Sequence, residues 1–363
     1  MKLFVKIPLA VIIALLAAAA IFLGVLSIAE FRPKPVEDAM FSSPIHSVEG
    51  RKLSKDEELS LLSWNIGYSG LGKNEDFFLD GGKKVRPESK KVVQKYFNGI
   101  KNTIRENPAD IIFLQEVDYN SKRSFHFNEF NALINATGKN GALAINYKCP
   151  YVPFPVPSIG RVECGIVTLS DFECEYPERI ALPVPFKWPL RLINLKRCLL
   201  IEKIPVFENG EETGKYLVLV NLHLEAYDSG EGKTAQTAAL VSLMQSEYEK
   251  GNYVIAGGDF NQKFPGSEAC PPFWSSVWLP SEVQVDSKFI EEGWRFAYDD
   301  TKASCRLLSS PYVGKEAEAH DWQYYLIDGF FMSPNIKNVS INTIDEDFEN
   351  SDHNPVMLRF KLD

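Results

Sequence analysis

Gly257-Gly258-Asp259-Phe260-Asn261 closes an apolar run that starts at Tyr253, and Ser351-Asp352-His353-Asn354 stands just before the last apolar run of the chain, 355–362. Both runs have the length and the β-branched and aromatic content of strands, so each reads as a strand with an acid, an amide or an imidazole at one end. Outward from these two, the arrangement recurs. Asn65 follows Leu61-Leu62-Ser63-Trp64, Glu116 follows Ile111-Ile112-Phe113-Leu114-Gln115, His223 follows Val218-Leu219-Val220-Asn221-Leu222, and Asp328 follows Tyr324-Tyr325-Leu326-Ile327.

The pattern between these points alternates strand and helix. Residues 59–66 and 109–114 read as strands around an amphipathic helix, 88–106, whose Val92, Val93, Tyr96, Phe97, Ile100 and Ile104 fall on one side. Further strands are expected at 142–147, 165–170, 198–207, 216–224, 253–260, 325–332 and 355–362, with a second helix at 234–249. Several consecutive strands lack a helix between them. That excludes a purely parallel doubly wound sheet and points to an α/β fold of two sheets with helices outside. Two Pro-rich, aromatic segments, 149–160 and 182–189, read as irregular loops that either rim a cleft or cover a sheet edge. The Gly-rich stretch 68–82, directly after Asn65, is expected at a cleft edge.

With 363 residues, 45% of them hydrophobic, the chain can bury a large core. The net charge of −9 gives no basic footprint for non-specific nucleic-acid binding. An acidic protein still binds phosphate where a bound divalent cation dominates the local field. Residues 7–29 carry no charge, enough to cross a bilayer. Lys2 and Lys6 precede the run, whereas Glu30, Glu37 and Asp38 dilute Arg32 and Lys34 after it. The expected topology is therefore a cytoplasmic N-terminus, 1–6, an anchor, 7–29, a linker, 30–56, and an extracytoplasmic domain, 57–363. A cleaved signal peptide, with Ser27 and Ala29 at the cleavage site, is the competing reading and would give a secreted protein. Six cysteines leave both disulfides and buried free thiols open, and their spacing offers no zinc cluster.

Hard cations such as Mg²⁺ or Mn²⁺ prefer carboxylate and amide oxygen, which makes Asn65, Glu116 and Asp352 a chemically sensible ligand set. Each residue alone is weak: an Asn after a strand is usually a turn residue, and a His in a strand is usually structural. The ordered set carries more. Ser63-Trp64-Asn65-Ile66, Leu114-Gln115-Glu116-Val117, Asn221-Leu222-His223-Leu224, Gly258 to Asn261, Ile327-Asp328-Gly329-Phe330 and Ser351 to Asn354 resemble, in order, the motifs of the endonuclease/exonuclease/phosphatase family. The resemblance covers residues 59–362 and implies a four-layer sandwich of two mixed β-sheets, with the site at one end.

The resemblance also implies roles. Glu116 would be the principal metal ligand, with Asn65 and Asp352 nearby; Asp259 would orient or deprotonate the attacking water and Asn261 would help hold it. His353, made more basic by Asp328, would contact a phosphoryl oxygen, and His223 would do so from the other side or serve as acid for the leaving oxygen. His223 separates the chain from abasic-site endonucleases of the family, which lack histidine in that block. Glu163 stands where many nucleases of the family place a phosphate-contacting tyrosine or arginine, although Arg161 lies close by. The expected function is thus metal-dependent hydrolysis of a phosphoester, a phospholipid or glycolipid phosphate near the membrane, by a monomer. The alternatives are a tethered or extracellular nuclease, disfavoured by the acidic charge, and a non-catalytic binding module of the same fold.

Overall fold

A computed structural model describes residues 2–44, 50–228, 230–270, 278–313 and 322–363, with side chains from residue 10 onward. Two mixed sheets face each other. In the first, the strands run in the order Ile336–Thr343, Val356–Leu362, Leu59–Asn65, Ile111–Asp118, Gly160–Ser170, Asn140–Val152 and Met40–Ser42. In the second, the order is Val36–Asp38, Glu178–Ala181, Cys198–Glu208, Glu211–His223, Tyr253–Asp259, Asp328–Met332 and Arg295–Ala297, with Leu53–Ser54 added beside Cys198–Glu208.

Each sheet has a parallel pair at its centre joined through a helix, Lys90–Glu106 between Leu59–Asn65 and Ile111–Asp118, and Glu231–Glu249 between Glu211–His223 and Tyr253–Asp259; the short Leu53–Ser54 also runs parallel to Cys198–Glu208. Parallel neighbours require such a crossover, which is why the helices sit on the outer faces. Strand alternation sorts the side chains. Leu59, Leu61, Ile111, Phe113, Leu217, Leu219 and Ile255 fill the space between the sheets. Leu62, Trp64, Ile112 and Leu114 face outward against Phe97, Ile100 and Ile104 of the first helix, and Val218, Val220 and Val254 face Leu240 and Met244 of the second. Ser89 caps the first helix by accepting from Val92 N at 3.4 Å, so the helix begins at Lys90 rather than at residue 88.

Two differences from the sequence reading have physical causes. The segment 30–56 contributes edge strands: Val36–Asp38 pairs with Glu178–Ala181 and Met40–Ser42 with Asn140–Val152. Such short strands carry too little periodicity to read. The stretch 325–332 is interrupted because the Ser304 hydroxyl accepts from both Ile327 N and Asp328 N at 3.1 Å, replacing ladder partners. Asp328 therefore opens a strand instead of following one, while Tyr324–Tyr325 pairs separately with Cys305–Arg306. None of the six cysteines forms a disulfide, and Cys149, Cys164, Cys198 and Cys305 are buried thiols.

Ahead of the sandwich runs the helix Lys2–Ile28, whose stretch Ala10–Ile28 is long and apolar enough to cross a membrane and is almost entirely uncovered.

Candidate active site

The strand registers deliver the polar residues in pairs. Asn65 lies beside Gln115, His223 beside Asp259, and Asp259 beside Asp328, so two sheets present their central strand ends to one cleft. Alternation puts Asn65, His223 and Asp259 on the inner face, in step with the core residues below them. Glu116 needs a different device. The alternation of its strand is broken by a bulge between Leu114 and Val117, and Glu116 takes φ 56°, a left-handed conformation that a non-glycine residue holds only at a cost. The kink turns its carboxylate into the cleft, where Oε1 accepts from Asn65 Nδ2 at 3.4 Å.

Asn65 Nδ2 also donates to Asp259 Oδ2 at 3.0 Å, and Asp259 Oδ1 accepts from Asn261 N at 2.8 Å. Asn261, at φ 51°, is fixed by its own Nδ2 donating to Leu224 O at 2.9 Å. Gly258 makes this turn possible: it sits at φ 141°, and a β-carbon there would collide with the Leu222 carbonyl. His223 Nε2 lies 3.4 Å from Asp259 Oδ2, and His353 Nε2 lies 3.8 Å from the same oxygen. Behind His353, Nδ1 meets Asp328 Oδ2 at 2.8 Å, and Ser304 Oγ donates to that oxygen at 2.7 Å. Ser351 Oγ donates to Asn65 O at 2.7 Å and Trp64 Nε1 to His353 O at 2.8 Å, tying the last loop to the strand that carries Asn65.

All eight sequence-predicted residues therefore gather at one end of the sandwich, seven lining the cleft and Asp328 standing behind His353. Burial pushes Asp259 up to about 7, with His353 opposing and Asp328 adding to the rise. It pushes Asp352 up to about 6, His353 again opposing and Glu116 adding. The histidines diverge. Burial alone would depress His353, but Asp328, Cys305 and Asp352 outweigh it and hold the imidazole well above its ordinary value. Burial, then the charges of Arg197 and His353, hold His223 well below. The surroundings thus favour the proton on His353 and disfavour it on His223.

The cleft has a volume of about 1250 Å³, including space open to solvent. Tyr68, Leu71, Phe77, Leu79 and Asp80 of the Gly-rich stretch form one wall. Asp80 Oδ1 accepts from Tyr227 Oη at 3.0 Å, joining that wall to the segment after His223. Three buried arginines absent from the sequence reading also line the cleft. Arg123 pairs with Asp118 at 3.0 Å and lies 3.6 Å over the Tyr68 ring; Arg197 donates to His223 O at 3.1 Å; Arg306 donates to Gly72 O at 3.0 Å. Arg123 and Arg197 lie on separate loops and Arg306 on the two-residue strand Cys305–Arg306, so no spacing announces them. Arg161 and Glu163 do not line the cleft; they pair with each other at 2.6 Å.

Asp259, Asp328 and His353 offer ligand atoms within 4.8 Å of one another, as do Cys305, Asp352 and His353, so acidic and imidazole groups stand where a metal ion can be held.

Residues 62–329 match the model of the Endonuclease/Exonuclease/phosphatase family, and the chain belongs to that family of phosphoester hydrolases. The matched span takes in six of the eight residues and ends before Asp352 and His353. Similar solved structures include an endonuclease/exonuclease/phosphatase from Beutenbergia cavernae DSM 12333, at 18% identity and a TM-score of 0.55 over 84% of this chain and 72% of that one. The human Nocturnin catalytic domain with bound sulfate anion is 17% identical, with a TM-score of 0.52 over 85% and 96% of the two chains. ANGEL2, a 2′,3′-cyclic phosphatase, in complex with adenosine-2′,3′-vanadate is 17% identical, with a TM-score of 0.53 over 90% and 99%. Each shares the fold. No curated protein matches the chain.

Proposed function

We propose that the chain is a membrane-anchored, metal-dependent phosphoester hydrolase in which water attacks phosphorus directly. The observation that carries this reading is the convergence of the strand-end amides and carboxylates with a cationic His353–Asp328 pair in one cleft. The charge of Glu116 raises the cost of ionising Asp352, and Glu116 is itself held in a strained backbone; a divalent cation offsets both. Their oxygens suit Mg²⁺ or Mn²⁺, and Asn65, whose Nδ2 faces Glu116 and whose Oδ1 accepts from Gly67 N, would steady the Glu116 carboxylate beside the ion. When bound, the ion supplies Lewis-acid polarisation of a phosphoryl oxygen.

The protein's own groups do the rest. Asp259, pushed up to about 7, accepts a proton from the attacking water, and Asn261 fixes the carboxylate from which that water hangs. His353 presents its Nε2 hydrogen to a phosphoryl oxygen, its ring orientation fixed because Nδ1 faces Asp328. His223, held neutral, contributes a hydrogen bond from the opposite side, which is a smaller role than acid for the leaving group. The apolar helix, with lysines before it and acids after it, supports an anchor with the domain outside the cytoplasm.

The test is substrate release by the full chain in vesicles with Mg²⁺, Mn²⁺ or EDTA, against phospholipids, glycolipid phosphates, small phosphoesters and plasmid DNA. Metal-dependent turnover of a lipid or small phosphoester supports the reading. Turnover of DNA alone would replace it with the nuclease.

A further inference from the structure

The N-terminal helix does not leave the domain freely. Leu26 is buried in a cluster with Cys149, Val152, Val162, Cys164 and Leu192, against which Phe22 and Leu23 also pack. Glu30 pairs with Arg191 at 2.9 Å and Lys196 at 3.6 Å, and Trp188 Nε1 donates to Ser27 Oγ at 3.1 Å. The ring of Phe22 meets that of Tyr151 edge-on, with centroids 6.3 Å apart. The two Pro-rich loops therefore clasp the end of the helix, one at the level of Phe22 and one at the level of Ser27.

These loops expose apolar side chains. Phe154 is 67% and Val156 93% accessible on the first loop, and Trp188 57% and Leu190 59% on the second. Lys187, Arg191 and Arg32 are exposed around them. The helix length decides what lies against this surface. If the clasped turns stood clear of a bilayer, only residues 7–21 would remain to span it, about 22 Å at the helical rise. That falls short of the roughly 30 Å hydrocarbon layer. With the clasped turns included, the span reaches the required length; the loop at the level of Ser27 then lies at the membrane surface, and the one at the level of Phe22, about 8 Å further along the helix, dips into the edge of the hydrocarbon layer. Trp188 then sits at the level of the interface, where its ring is favoured, and the cations meet lipid phosphates.

The same wall is shared with the cleft. Tyr147, Ile159 and Cys164 line the cleft and belong to, or pack on, the cluster that buries Leu26. Leu195 and Arg197, just after the second loop, line it too. We infer that the loops 151–157 and 184–190 form a bilayer-docking face around the helix exit, and that this face sets the cleft mouth at the lipid surface. This rests on the reading of the helix as a span, and it narrows the substrate to a phosphoester presented by the membrane.

Full-length protein in phosphatidylcholine vesicles containing some phosphatidylserine tests it, with brominated acyl chains as the quencher. The fluorescence of Trp188 is the difference between wild type and Trp188→Phe. Brominated lipid is expected to quench that difference by about half or more, and Phe154→Ser with Val156→Ser is expected to lower turnover of vesicle lipid about 10-fold. Turnover of water-soluble 4-nitrophenyl phosphoester by this double variant stays at the wild-type rate. Protein that resists alkaline extraction but whose Trp188 signal is quenched only by aqueous acrylamide overturns the docking face and leaves the anchor standing. Protein released by alkaline extraction overturns both. Equal turnover of vesicle lipid by wild type and double variant also overturns the docking face.

Discussion

Two regions of the sandwich bury carboxyl groups, and they treat them in opposite ways. At the cleft, Asp328 is 1% exposed, yet its Oδ2 meets both His353 Nδ1 and the Ser304 hydroxyl. Lower in the inter-sheet core, Glu202 stands opposite Leu219 with 3% exposure and makes no hydrogen bond or ion pair with any described residue. Burial alone pushes Glu202 up to about 8. A buried acid with a cation and a donor becomes a fixed electrostatic tool, whereas one without partners stays protonated and lowers stability once it ionises.

The largest expected effect comes from removing the cation of the first region. His353→Ala should lower kcat by about 10³-fold if the imidazolium meets charge that develops in the reaction as proposed, and should also lower the thermal transition, because buried Asp328 loses its cation. Asp328→Asn keeps the shape but removes the charge that holds His353 protonated; kcat should fall about 10²-fold and the acidic-to-neutral pH profile should shift. If Asp328→Asn kept both the rate and the profile, the contrast between the two regions would fail.

The second region predicts a gain. Glu202 has a folded value, about 8, above its ordinary 4.5, so the stability linked to its proton is fully present below about pH 4.5 and is lost as pH rises through about 8. Glu202→Gln should therefore stabilise the protein by about 3 kcal/mol at pH 7 and by almost nothing at pH 4. Thermal unfolding at the two pH values checks this, and an equal effect at both would show that ionisation is not the cause. Ser304→Ala, which removes one donor from Asp328 while the histidine remains, should cost about 10-fold in kcat with KM unchanged. Tyr227→Phe breaks the Asp80 bridge across the cleft and should shift KM by no more than about 3-fold.

Much of the first region is legible in the sequence because strand alternation and the short motifs act over a few residues. Asn65, His223 and Asp259 follow from period-two runs that also build the core. Glu116 is marked by its motif, but the bulge that turns it inward depends on pairing with Gly160–Ser170, about fifty residues later, and cannot be read locally. Ser304, Arg123 and Arg197 on loops and Arg306 on a two-residue strand escape a sequence reading because such isolated positions carry no period, and only folding brings the arginines to the cleft and Ser304 to Asp328. The three-residue edge strands at Val36–Asp38 and Met40–Ser42 escape for the same reason. Glu202 is invisible because an acid in an alternating strand ordinarily faces water.

On the proposed function, this cleft hydrolyses phosphoesters with a metal ion and the Asp328–His353 pair. Its most direct test is hydrolysis of a 4-nitrophenyl phosphoester by the full chain with Mg²⁺, before and after EDTA, beside His353→Ala. Turnover should be abolished by EDTA, restored by added Mg²⁺ or Mn²⁺, and missing in the variant. Turnover unaffected by EDTA, or equal in the variant, would contradict it.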